Sequence, residues 1–189
     1  MKGHMRGDLG ALPRSARGML SALLAVVVML VTAASAPGVA RTSGSERFDG
    51  GLVASNASGK RTVAGSVIAM SGVFTGVGRI VERPNRPGDS GKVSRDDLVF
   101  AAGTLHIVNV DRGHPSLAVN RRTCTATFKV QKTTTVNGGT GRFAGATGTF
   151  VGVVSGSGVA RRKADGGCDQ QHAALVEIDT LTGTGTLTF

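Results

Sequence analysis

Two carboxylates, Glu177 and Asp179, stand two residues apart in AALVEIDTLTGTGTLTF, residues Ala173–Phe189. Along a strand that spacing sets their Cα atoms ~6.5 Å apart on one face, the face shared with Leu175 and Leu181. If that face lines a cavity, the two carboxylates interact and one pKa rises. Such a pair can work as acid and base or hold a cation. If the face lies outside, both groups are simply solvated. His106 lies between Leu105 and Ile107, on one strand face with Phe100, Ala102, Thr104 and Val108. It is either an acid–base group or a hydrogen-bonded structural histidine. Glu82 and Arg83 close one apolar stretch, and Arg121 and Arg122 open another. Arginines at a barrel mouth can grip a ligand's carboxylate or phosphate; the alternative is solubilising charge on a rim. Phe100 and Phe128, on apolar strand faces, are the candidate contacts for an apolar ligand.

Other chemistries lack their motifs. Ser155-Gly-Ser-Gly lies in a strand-like stretch and is no nucleophile elbow. No GxxxxGK[ST] phosphate loop occurs, and the GxG steps precede no helix. His114 and His172 have no metal-ligand spacing with His106, and the two cysteines lack a CxxC companion, so neither a metal nor a cofactor is expected. The 189 residues carry a net charge of +10. That charge is scattered, with no Lys/Arg run longer than Arg161–Lys163, and Trp and Tyr are absent, so a stacking surface for nucleic acid is not expected either.

The elements that must position these groups start with the N-terminus. Lys2, Arg6, Arg14 and Arg17 precede an apolar run, Met19–Val31, followed by small residues up to Ala40. That is the layout of a secretory signal peptide, and the run is shorter than the ~20 residues of a spanning helix. Residues 1–40 are therefore expected to form a signal-peptide helix that is cleaved after Ala40, leaving no stable membrane span and a secreted or cell-surface protein. An uncleaved anchor is the alternative. Without four basic residues and Asp8, the remainder carries +7. Cys124 and Cys168 are the only cysteines. In an exported chain they read as one disulfide, with two buried thiols as the alternative.

Residues 41–61 are polar and rich in Gly and Ser, and read as a flexible entry with a short strand at 51–54. The domain proper is expected over 62–189. Val63–Val81 and Leu98–Val110 carry apolar residues on both faces and read as two long covered strands. Pro84, Pro87, Gly88 and Gly91 mark 82–97 as a loop, and DRGHPS at 111–116 reads as a turn. Arg121–Val136 alternates: Cys124, Ala126, Phe128 and Val130 face one way, and Thr125, Thr127, Lys129 and Gln131 the other. Asn137-Gly138 is a hairpin signal. Ala146–Val159 places Gly148, Gly152, Gly156 and Gly158 on one face, as at barrel corners. No helical period appears after residue 40. The expected fold is all-β, a closed antiparallel barrel that leaves no exposed edge.

The run Asn137–Phe150, NGGTGRFAGATGTF, resembles the Gly-rich hairpin of the allene oxide cyclase and dirigent-protein barrels. RTCTATFKV before it and LTGTGTLTF after it are similar to secreted bacterial members of the allene oxide cyclase-like group, so the resemblance spans roughly Val63–Phe189. It implies about eight strands around an apolar cavity, assembly as a homotrimer, and cofactor-free chemistry on a reactive small molecule. The absence of Tyr and of a second catalytic motif sets this chain apart from those enzymes.

The reading is an exported barrel that binds a small apolar, lipid- or polyketide-like molecule. A cyclase or isomerase and a structural cell-surface module are the alternatives. The protein recovered outside the cell is expected to begin at Arg41, which N-terminal sequencing checks.

Overall fold

The computed structural model describes residues 41–56, 59–169 and 171–189. The expected signal helix and its cleavage site lie outside the described residues. Eight antiparallel strands follow one another around a closed barrel: β1 (Ser43–Ser55), β2 (Thr62–Gly72), β3 (Gly76–Arg83), β4 (Val93–Phe100), β5 (Gly103–Asn120), β6 (Thr125–Gly139), β7 (Thr147–Val159) and β8 (Val176–Thr188). Each pairs with its neighbour in the chain, and β1 closes on β8 in unbroken register from Ser43↔Thr188 to Ser55↔Val176. The all-β closed barrel is therefore what the alternation in the sequence led one to expect.

Several boundaries differ, each for a local reason. Residues 41–61 are not merely an entry: β1 takes up most of them, with Ser43, Ser45 and Arg47 exposed, Phe48 and Leu52 facing in, and Glu46 buried. Val63–Val81 is two strands. The chain reverses at Val73–Thr75, where Phe74 is buried and its N–H donates to Glu46 Oε2 at 2.8 Å. Leu98–Val110 likewise breaks, at Ala101–Ala102 between the paired Phe100 and Gly103. The loop before it shrinks to 84–92, fastened by Asp89, which accepts from the Arg86 N–H (2.7 Å) and twice from Arg95 (2.7 and 2.9 Å). The DRGHPS segment stays within β5 as a break in its pairing with β6 between Arg112 and Ser116. On the outer faces of β2 and β3, Val67 and Val77 are exposed in the single chain.

One end of the barrel is plugged by phenylalanine. Phe143 is fully buried and meets Phe74 at 4.9 Å, Phe189 at 5.5 Å and Phe100 at 5.9 Å, all edge-on. The glycine-rich run makes this possible. Gly141 adopts φ 58° and lies close enough to Ala102 that a Cβ would stand 2.6 Å from its carbonyl oxygen. The short 3-10 turn Gly141–Phe143 then swings the Phe143 ring under the barrel. The far end carries the Cys124–Cys168 disulfide, which ties the β5–β6 turn to the loop ahead of β8 across 44 positions. On a chain-entropy account a loop of that size constrains the unfolded state by about 4 kcal/mol. Phe143→Ala is expected to cost about 3–5 kcal/mol, the range for emptying a buried aromatic site, as read by urea unfolding.

Candidate functional site

Above the phenylalanine plug the barrel encloses a cavity of about 610 Å³. Its apolar walls are built from inward positions of all eight strands: Phe48, Leu52, Ile68, Met70, Ile80, Leu98, Leu105, Ile107, Phe128, Val130, Val136, Phe150 and Leu181. Phe48 and Phe150 meet edge to face with ring centroids 5.5 Å apart. Glycines across from these rings create the space: a Cβ at Gly183 would overlap the Phe48 ring.

The polar groups gather toward the other end. Asp179 is buried, and Glu177 stands one pleat above it on β8. The Arg61 guanidinium, just ahead of β2, contacts Glu82 on β3 and reaches Glu177 Oε1 at 3.4 Å and Asp179 Oδ2 at 3.7 Å. A second chain of contacts crosses β4, β5 and β6. The Asn109 amide donates to Asp96 Oδ2 (2.7 Å), and Thr134 Oγ1 donates to Asn109 Oδ1 (2.6 Å). Lys132 Nζ lies 2.7 Å from Asp111 Oδ1. All of these groups line the cavity.

Burial sets their acidity. Asp179 is pushed up to about 7, first by loss of solvent and then by the neighbouring Glu177, against the pull of Arg61 and Lys132. Burial also raises Asp96, opposed by Lys132 and by the Asn109 hydrogen bond. Gly156 keeps the Asp179 position available, since a Cβ there would overlap both its carboxylate and the Phe128 ring. A carboxyl near neutrality, beside a second carboxylate and an arginine, can give or take a proton at ordinary pH.

The residues singled out from the sequence divide. Glu177, Asp179, Glu82 and Phe128 line the cavity together. His106 does not: it lies on the outer face, where Nδ1 is 2.8 Å from Asp97 Oδ1, while its neighbours Leu105 and Ile107 face in. Phe100 belongs to the plug and not to the lining, 5.0 Å from Phe74. Arg121 and Arg122 sit exposed in the turn before Cys124, where the Arg122 carbonyl accepts from Arg162 Nη2 at 2.6 Å. They are rim charges, away from the cavity walls. Arg61, Asp96, Asn109 and Lys132 went unnoticed in the sequence. Lys132 alone left a signal, as a charged residue continuing the apolar face of Phe128 and Val130.

No protein-family model, curated protein or solved structure matches this chain.

The pH dependence of stability follows from these shifts. Asp179 holds its proton in the folded state to about pH 7 but loses it near 4 when unfolded, so its contribution to stability is complete below 4 and is lost as pH rises to 7. Asp96 and Glu46, both raised by burial, act in the same direction. Asp89, lowered to about 2 by Arg95, works oppositely, and only below pH 4. The melting temperature is expected to fall between pH 5 and pH 7.5, and Asp179→Asn to flatten that fall, as measured by thermal denaturation followed by circular dichroism.

Proposed function

We propose that this protein is an exported barrel that binds a small apolar molecule in its cavity. The observation that carries the reading is the cavity itself: about 610 Å³, closed at one end by four phenylalanines and walled by aliphatic and aromatic side chains. Ligand sites of this kind span ~300–1,000 Å³ and combine apolar walls with a few polar groups that fix orientation. A structural module would fill such an interior with side chains, so the open volume speaks for binding. The disulfide is in keeping with export, because such bonds persist in oxidising compartments.

Asp179 favours a second reading, a cofactor-free cyclase or isomerase. Its carboxyl is raised to about 7 and faces the cavity beside Glu177 and Arg61. It would protonate or deprotonate a bound molecule whose shape the walls restrain. The resemblance of NGGTGRFAGATGTF to allene oxide cyclase and dirigent barrels supports this reading and a trimeric assembly.

Native mass spectrometry of the secreted protein, before and after exposure to a lipid extract, tests the binding reading. A non-covalently bound apolar molecule is expected, and a protein that stays empty would remove the proposal. Leu181→Trp supplies the control. An indole there fills the mid-cavity, and retention of the bound molecule is expected to drop at least tenfold with the barrel still folded. The wild type has no tryptophan, so the introduced fluorescence reports directly on the cavity.

A further inference from the structure

The charges that line the cavity do not balance locally. Five carboxylates face it: Glu82, Asp96, Asp111, Glu177 and Asp179. Of the four cations that line it, Arg95 is held by Asp89 through two bonds of 2.7 and 2.9 Å, and Arg83 lies 3.7 Å from Asp97. Neither Asp89 nor Asp97 is part of the lining. Arg61 and Lys132 are left to face all five carboxylates. Arg61 is divided among Glu82, Glu177 and Asp179, and Lys132 is taken by Asp111. Asp96 receives a neutral amide from Asn109.

An independent observation concerns Asp179. It is 5% exposed and lines the cavity, and its buried Oδ1 meets no amide, hydroxyl or cationic donor among the described residues, leaving only a proton shared with the Glu177 carboxyl to satisfy it. Buried carboxylate oxygens are almost always satisfied, and an unpaired one marks a place for a missing partner. The surplus is negative although the chain as a whole is +10. The scattered outer charge is screened beyond ~8 Å at physiological ionic strength, so a bound molecule feels the lining.

We propose that the cavity's ligand is an apolar molecule bearing one protonated amine, with its hydrocarbon against Phe48 and Phe150 and its ammonium among Asp179, Glu177 and Asp96. The inference rests on the binding reading above. A compact ammonium brings three donors and one positive charge to carboxylates that otherwise share the single Arg61 guanidinium and the Asn109 amide. A carboxylate head would instead add a further negative charge beside these acids.

The proposal carries a pH signature. Glu177 on its own strand, Arg61 ahead of β2 and Lys132 on β6 act on Asp179, and Glu82 and Arg83 on β3, Arg95 and Asp96 on β4 and Asp111 on β5 line the same cavity. A cation binds the ionised form of Asp179. Its carboxyl is raised to about 7, so amine affinity climbs about tenfold from pH 6 to pH 8. The amine itself, with an ordinary pKa of about 10.4, stays charged throughout.

Isothermal titration of the secreted protein with dodecylamine, dodecanol and dodecanoate, each below its micellar concentration, tests this. The amine is expected to bind at least tenfold more tightly than the alcohol, with the carboxylate weakest, and to strengthen as pH rises from 6 to 8. Asp179→Asn is expected to abolish that pH dependence and most of the preference; if that variant does not fold, Glu177→Gln should reduce the preference in the same direction. Dodecanoate binding as tightly as dodecylamine would overturn the inference and leave the binding reading standing. Failure of all three to bind would overturn both.

Discussion

Everything in this molecule depends on β1 meeting β8. The first and last strands run together in register from Ser43↔Thr188 to Ser55↔Val176. That pairing satisfies two rows of backbone groups that would otherwise be open edges. It also divides inside from outside. Once the sheet is a cylinder, every second residue of each strand is committed to the interior, and slipping one position would exchange the two sets. Phe48, Leu52 and Asp179 share an interior only because β1 and β8 are locked in this frame.

Within that frame the interior has two regimes. Toward the plugged end, aromatic rings pack edge to face around Phe143, and the glycine-rich run gives the backbone room to carry that ring inward. Toward the other end the barrel is left unfilled, and the groups lining it are mostly charged. Burial raises Asp179, Asp96 and, near the β2–β3 turn, Glu46. These carboxyls cost stability near neutral pH. A protein that retains such groups in its interior has sacrificed some folding free energy at a site, which is the pattern expected of function.

The sequence disclosed the architecture more fully than the site. Alternation over Arg121–Val136 and Ala173–Phe189 defines strands and puts Glu177 and Asp179 on one face and Phe128 on an apolar one, while leaving open which face is the interior; the barrel turns all three inward. Alternation failed at His106 and Phe100 for one reason. Leu98–Val110 is apolar on both faces, so parity alone cannot say which residues point inward, and the two-residue reversal at Ala101–Ala102 carries no Asn, Asp, Gly or Pro. Arg61 and Asp96 were hidden differently. Both lie in segments whose composition reads as loop, Arg61 just ahead of β2 and Asp96 midway along β4, and only barrel closure brings Arg61 within reach of β8. Such long-range juxtapositions have no local signature.

The meeting of first and last strands also sets on which side the chain enters β1 and leaves β8. Thr42 and Phe189 exchange backbone hydrogen bonds of 2.8 and 3.0 Å, on the plugged side, opposite Arg61 and Glu82. A cargo protein, an immobilising tag or a wall linkage joined after Phe189 would therefore be held behind the barrel, with the opening directed away from the attachment.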